Sequence, residues 1–154
     1  TIIRPFNNYG SRQNPASKGI VTATIMSLLS NKRPVVYGTG NQTRDYIFVK
    51  DTVRGILASY EHLETRGRII NLGSGKMIKM RDLVDKLIKI SGKKIMIEYK
   101  ESRVADVRNH CADIRLAGRL IGWRPKFDLE VGLRQTYNWF RKNTRSVTTE
   151  TPQD

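Results

Sequence analysis

The sequence predicts an α/β fold whose parallel sheet is incomplete, and three observations support this prediction. Short β-branched segments alternate with longer segments in which apolar residues recur at helical spacing, as in folds built from strand and helix units. The chain of 154 residues, 38% apolar and 27% charged, can bury one core of ordinary size. Few of the predicted strands are apolar enough for the middle of a sheet, so the sheet needs further strands from elsewhere.

The first third of the chain predicts a strand, a long loop and a helix. Residues 1–3 are β-branched and precede Arg4-Pro5, which ends the strand. The loop over residues 7–19 is rich in Asn, Gly, Ser and Pro, and loops of this length are often functional. A helix follows, because four apolar residues recur at helical spacing: Val21, Ile25, Leu28 and Leu29.

The middle of the chain predicts three strands, at residues 35–37, 46–49 and 68–72, and two helices. Asp51 is the expected N-cap of the first helix, and Gly92 is the expected end of the second. The first helix carries Val53, Ile56, Leu57 and Tyr60 on one face, and the second carries Met80, Leu83, Val84, Leu87 and Ile88.

The last third predicts a strand at residues 95–99 and two helices, capped by Asp113 and Asp128. The first of these helices stops at Gly122. We expect residues 1–143 to form the folded portion and residues 144–154, which are polar, to form a disordered tail.

The formal charge of +14, from 28 Lys and Arg against 14 Asp and Glu, suits an anionic partner. The basic residues are spread over nearly every segment, however, and no block of five like charges occurs. Surface solvation is therefore the favoured explanation, and nucleic-acid binding is disfavoured. A non-catalytic polyanion-binding module remains the alternative from another functional class.

The chain predicts a cytoplasmic protein. Its single cysteine, Cys111, cannot form an internal disulfide, and no apolar stretch is long enough to cross a bilayer. The chain opens at Thr1 without an initiator Met or a leader sequence, which we interpret as an edge within a longer protein.

No self-contained catalytic or metal site is visible in the sequence. Residues 73–76, Gly-Ser-Gly-Lys, match neither a phosphate loop nor a dinucleotide fingerprint nor a nucleophile elbow, so we predict a plain turn. The only soft metal ligands are His62, His110 and Cys111. Donors for a diphosphate are present, because Asn7, Arg44 and Arg103 carry amide and guanidinium groups.

Four segments resemble, in order and spacing, a C-terminal portion of the extended short-chain dehydrogenase/reductase family that acts on nucleotide sugars. The first three read RPFNNYGSRQ at residues 4–13, VYGTGNQTRDYIFVKD at 36–51 and INLGSG at 70–75. The fourth consists of RVADV at 103–107, AD at 112–113 and LIGWRP at 120–125. Ser11 and Val104 depart from the pattern, since the family usually has Pro at both positions.

The resemblance implies the last strands and helices of a Rossmann-like parallel sheet together with a small α/β substrate-binding domain. It also implies the roles of six residues. Asn7 would bind the substrate diphosphate, Phe6 would lie near the nicotinamide, Tyr37 would sit by the base, Arg44 and Arg103 would bind phosphate, and Asp106 would bind the ribose.

The implied activity is that of an NAD-dependent UDP-sugar 4-epimerase, with a dTDP- or UDP-sugar 4,6-dehydratase or a UDP-glucuronate decarboxylase as alternatives. In this family the glycine-rich NAD turn and the catalytic Tyr-x-x-x-Lys pair lie in an N-terminal Rossmann half, which is missing here. The resemblance therefore implies a UDP- or dTDP-sugar ligand, a homodimer at full length, and no NAD binding or turnover by this chain alone.

Overall fold

The computed structural model describes residues 1–17, 19–102 and 108–147, and these residues alternate between short strands and helices. The predicted α/β class is confirmed. The strands are β1 (Ile2–Pro5), β2 (Asn8–Tyr9), β3 (Val35–Tyr37), β4 (Thr43–Arg44), β5 (Ile47–Phe48), β6 (Ile69–Leu72), β7 (Ile78–Lys79), β8 (Glu98–Lys100) and β9 (Asn109–His110). The helices are α1 (Ile20–Leu29), α2 (Val49–Glu61), α3 (Met80–Ser91), α4 (Arg115–Ile121) and α5 (Leu129–Val147).

The strands pair locally instead of forming one wide sheet. Parallel pairs join β1 with β6, β2 with β5, and β3 with β8. A three-stranded group has β4 in its centre, antiparallel to β7 and parallel to β9. The prediction of parallel but incomplete pairing is therefore confirmed for the part of the chain that the structure describes.

Two apolar cores hold these elements. The first lies among α1, α3 and α5, where residues such as Ile25, Leu83 and Phe140 are buried. The second lies between β6 and α4 and includes Leu72 and Trp123. None of the described helices is both long and apolar enough to cross a membrane.

Three predicted helix ends are confirmed. Gly92 and Gly122 adopt left-handed conformations, with φ of 70° and 59°, directly after α3 and α4. At the start of α5 the Glu130 amide donates to Asp128 Oδ1 at 2.8 Å, which is the bond expected of an N-cap carboxylate.

The predicted capping role of Asp51 is wrong. Helix α2 begins at Val49, so Asp51 lies inside its first turn. Its buried carboxylate accepts the backbone amides of Lys126 and Phe127 and the Nη1 of Arg54, at 2.6 to 3.0 Å. Asp51 therefore fastens α2 to the segment before α5, a long-range role that a local capping pattern does not reveal.

One strand boundary differs from the sequence prediction. The strand expected at residues 95–99 is β8, Glu98–Lys100, because its pairing is set by β3, with Val35 opposite Glu98. Helix α5 runs to Val147, past residue 143, and the division between the folded portion and a tail stays a prediction. The rest of the predicted tail, 148–154, lies outside the described residues.

Helix α2 packs with its small residues inward. A Cβ at Gly55 would lie 2.6 Å from Leu72 Cδ1 and 3.0 Å from Trp123 Nε1, so the helix approaches the second core closely only because this position has no side chain. The large apolar residues of α2 consequently lie on its outer face.

Substituting Gly55 by Ala tests this close approach. Overpacking of this kind costs about 1–3 kcal/mol, whereas Gly118→Ala in α4 meets only Trp123 O at 3.8 Å and gains up to about 1 kcal/mol in helix propensity. Urea unfolding followed by circular dichroism should give Gly55→Ala a free energy of unfolding at least about 1 kcal/mol lower than that of Gly118→Ala. Equal stabilities would contradict the packing described.

Candidate functional site

A cavity of about 820 Å³ opens beside the first core. Its walls come from the loop after β1, from α1, and from β3 and β4. Both polar and apolar side chains line it, which is typical of a site for an amphipathic small molecule. Three residues singled out from the sequence line this cavity together, although the chain separates them: Asn7, Tyr37 and Arg44.

The other predicted site residues have different outcomes. Phe6 precedes Asn7 at the end of β1, and its ring stacks on that of His110, with centroids 4.6 Å apart and planes 18° apart. Arg103 and Asp106 lie outside the described residues, so their roles stay predictions.

Asn7 has an unusual backbone and a fixed side chain. Its φ of 26° is positive, a conformation that asparagine tolerates better than most residues. Its Nδ2 donates to the backbone oxygen of Asp45 at 2.7 Å. This bond orients the Asn7 amide at the cavity wall.

The carboxylate of Asp45 is buried and holds two further segments in place. Its Oδ1 accepts the amide and the hydroxyl of Ser74, at 2.7 and 2.6 Å, and its Oδ2 accepts the amides of Gly75 and Ala112, at 2.9 and 3.1 Å. A buried carboxylate needs donors of this kind to offset its loss of hydration. Together with its backbone bond to Asn7, Asp45 joins the end of β1, the turn after β6 and the start of the segment before α4.

The predicted turn at residues 73–76 is confirmed, and Asp45 explains its composition. The chain bends at Gly73 and Gly75. A Cβ at Gly73 would lie 2.6 Å from Asp45 Oδ2, and Gly75 has a φ of 69°, so both positions favour glycine. The Gly-Ser-Gly sequence therefore allows the turn to pass close to the Asp45 carboxylate and to donate hydrogen bonds to it.

The wall that carries Tyr37 is anchored to α3. Gln42 Nε2 donates to the Tyr37 backbone oxygen at 2.8 Å. The amides of Met80 and Arg81, at the start of α3, donate to the backbone oxygens of Gln42 and Gly40. The first amides of the helix are thereby used to fix the turn between β3 and β4.

Arg44 lies in the central strand of the three-stranded group. Its Cα partners are Ile78 in β7 and His110 in β9, and its Nη1 donates to the Thr43 backbone oxygen at 2.8 Å. Pairing on both sides fixes the backbone from which the guanidinium extends at the cavity wall.

Sequence reasoning missed Asp45 and Gln13. Asp45 lies directly before the apolar run 46–49, and a carboxylate beside a buried strand is a signal that could have found it. Gln13 lines the cavity, and its buried Oε1 has no hydrogen-bond partner among the described residues. Gln13 ends the first of the four family-like segments, which is the signal that could have found it.

Two ionisable side chains near the site are unsuited to nucleophilic chemistry. Burial raises the pKa of the Tyr9 phenol, and the negative charges of Asp128 and Asp51 raise it further. Desolvation and the nearby Asp45 carboxylate raise the pKa of the Cys111 thiol, so it stays protonated at neutral pH. Within the described ranges, no three His, Cys, Asp or Glu side chains group as metal ligands.

Comparisons with known proteins agree on one family. The model of the NAD dependent epimerase/dehydratase family matches residues 1–73. The UDP-glucuronate 4-epimerase of Thermodesulfobacterium geofontis is 34% identical over 148 residues, which are 96% of this chain and 45% of the relative. The dTDP-glucose 4,6-dehydratase of Streptomyces griseus is 34% identical over 146 residues, which are 92% of this chain and 43% of the relative.

A solved structure shows the same arrangement of elements. The UDP-glucose 4-epimerase of Thermotoga maritima, solved with UDP-glucose, has a TM-score of 0.87 and 34% identity, covering 92% of this chain and 46% of that one. The chain thus spans a little less than half the length of the proteins it matches.

Replacing the Asp45 carboxylate should loosen the turn after β6 and the segment before α4. In Asp45→Asn an amide nitrogen takes the place of Oδ2, so the amides of Gly75 and Ala112 lose their acceptor, at about 1–3 kcal/mol each. Ser74→Ala removes a single hydroxyl donor and should cost only about 1 kcal/mol. We expect urea unfolding to give Asp45→Asn the lower free energy of unfolding of the two variants. Hydrogen exchange should also be faster at the amides of Gly75 and Ala112 in Asp45→Asn. Similar losses in both variants would rule out the joining role of Asp45.

Proposed function

We propose that the chain is a member of the NAD dependent epimerase/dehydratase family and that it forms the nucleotide-sugar-binding, C-terminal portion of an NAD-dependent UDP-sugar 4-epimerase. The observation that carries this proposal is the convergence of Asn7, Tyr37 and Arg44 on one cavity. An aromatic ring suits a nucleotide base, and amide and guanidinium donors suit the oxygens of a diphosphate.

Arginine side chains are proposed to bind most of the diphosphate. A guanidinium group donates in a planar fork that matches phosphate oxygens, and it stays charged at every physiological pH. Arg44 supplies one such group, and Arg103 is proposed as the second. Asp106, three residues after Arg103, is proposed to accept hydrogen bonds from the ribose hydroxyls.

We propose that this chain alone does not bind NAD. The sequence has no Gly-x-x-Gly-x-x-Gly turn to receive a pyrophosphate, and the one residue implied at the nicotinamide, Phe6, is stacked on His110. In the whole enzyme NAD would supply the transient oxidation of the sugar. We infer that the cofactor and the acid/base residues belong to the remaining portion, and that this chain alone is inactive.

Two related activities are the alternatives within the family. A dTDP-sugar 4,6-dehydratase is favoured by the similarity to the Streptomyces griseus enzyme, and a UDP-glucuronate decarboxylase would use the same diphosphate site. The acid/base residues that separate these reactions from epimerisation would lie in the remaining portion. The full-length enzyme is proposed to be a homodimer, and the lone Cys111 fits a reducing cytoplasm.

Calorimetry with UDP-glucose tests the proposed site. Hydrogen bonds to a charged group contribute about 1.5–3 kcal/mol, so Arg44→Ala should weaken binding by about 10- to 100-fold. The matched control is Arg141→Ala, which removes an exposed arginine of α5 and should leave the affinity unchanged.

Three results would contradict the proposal. They are equal losses in both variants, no heat with millimolar UDP-glucose, and tight binding of duplex DNA with a steep salt dependence. The last result would favour the polyanion-binding alternative suggested by the charge of +14.

A further inference from the structure

The fold brings together two basic segments that are far apart in the sequence. One follows α1, which ends at Leu29, and the other follows α3, which ends at Ser91. Lys93 Nζ donates to the backbone oxygen of Leu28 and to Asn31 Oδ1. Arg33 Nη2 donates to the backbone oxygen of Ile97 at 3.0 Å. The two segments are therefore neighbours on the surface, and we call their four cations the basic patch: Lys32, Arg33, Lys93 and Lys94.

Acidic side chains do not offset the charge of the basic patch. Residues 1–44 and 86–97 contain no Asp or Glu. Among the described residues, none of the four cations forms an ion pair. The nearest carboxylate along the chain, that of Glu98, lies 3.5 Å from Lys100 Nζ. Because like charges repel, grouping these cations destabilises the fold unless an anion binds to them.

Hydrogen bonds within the fold explain only two of the four cations. Lys93 binds a backbone oxygen at the end of α1, where the helix dipole favours a positive charge. Arg33 binds the backbone oxygens of Met96 and Ile97. Lys32 and Lys94 are exposed, and their side chains form no hydrogen bond within the part of the chain that the structure describes. Their charges are thus accessible to a partner.

Apolar and aromatic side chains are exposed beside the basic patch. Met96 is 75% exposed, and its backbone oxygen lies 3.4 Å from Arg33 Nε, so it adjoins the cations. Tyr99, in β8, is 53% exposed. Basic side chains with exposed apolar and aromatic neighbours are typical of surfaces that contact the headgroup region of a bilayer. Binding to the backbone of a nucleic acid depends mainly on charge and would gain little from Met96.

We propose that the basic patch, together with Met96 and Tyr99, binds the surface of a membrane that contains anionic lipids. The lysine and arginine side chains contact the charged groups of the lipids, and Met96 enters the interface between headgroups and acyl chains. The leaflet that faces the cytoplasm is anionic, which fits the compartment proposed above. The four cations and Met96 lie outside the described lining of the cavity, so this inference goes beyond the proposed function and does not depend on it.

Vesicle sedimentation tests the proposal. The purified chain is mixed with vesicles of phosphatidylcholine and with vesicles that also contain phosphatidylserine, at low and at high salt. We expect binding to the vesicles that contain phosphatidylserine and none to those of phosphatidylcholine alone. Binding should weaken at high salt, because salt screens the attraction between exposed charges.

Substitutions locate the binding surface. Two charge reversals, Lys32→Glu and Lys94→Glu together, should weaken binding at least about 20-fold, since each basic residue near an anionic surface contributes about fivefold. The matched control, Lys76→Glu with Lys126→Glu, changes the net charge equally at two exposed lysines outside the patch. It should weaken binding less than about threefold because of screening. Met96→Ser leaves the charge unchanged and should weaken binding about fivefold.

Four results would overturn the proposal. They are no binding to phosphatidylserine vesicles, equal losses in the two lysine pairs, an unchanged affinity in Met96→Ser, and binding of duplex DNA under conditions where the vesicles are not bound. Equal losses would assign the binding to net charge, and the DNA result would assign the patch to a nucleic acid. All five substituted side chains are exposed, so each variant should keep the circular dichroism spectrum of the unsubstituted chain.

Discussion

The candidate site depends on one buried carboxylate. Asp45 has no exposed surface, and its oxygens accept two backbone amides and a hydroxyl from one turn and a third amide from the segment before α4. In a medium of low dielectric constant such bonds are strong when complete and costly when broken. Because the backbone oxygen of the same residue holds Asn7, the fold of these segments and the geometry of the cavity wall are set together.

Each wall of the cavity is held by contacts within this chain. The turn between β3 and β4 is bonded to the start of α3, and Arg44 extends from a strand paired on both sides. Preorganised donors lose little freedom when a ligand binds. The geometry that we propose for nucleotide-sugar binding is therefore held within this portion of the fold.

Local patterns in the sequence predicted local structure well. The apolar stripe of α3, the glycines that end α3 and α4, and the cap at Asp128 act within a few residues, and all were confirmed. The roles of Asn7, Tyr37 and Arg44 were inferred through resemblance, since single polar residues carry no periodic signal, and they stay predictions; the structure places the three residues at one cavity. The failures involve distant partners: Asp51 bonds to Lys126 and Phe127, and the position of β8 depends on β3. Asp45 was missed for the same reason.

We propose that a preformed cavity in this chain binds the nucleotide sugar. Adding UDP-glucose to the isotopically labelled chain and following its amide resonances by NMR tests this most directly. The claim predicts saturable changes concentrated in residues 7–13 and 37–46, with α4 and α5 unaffected. Changes spread over the basic surface, or no changes at millimolar ligand, would contradict it.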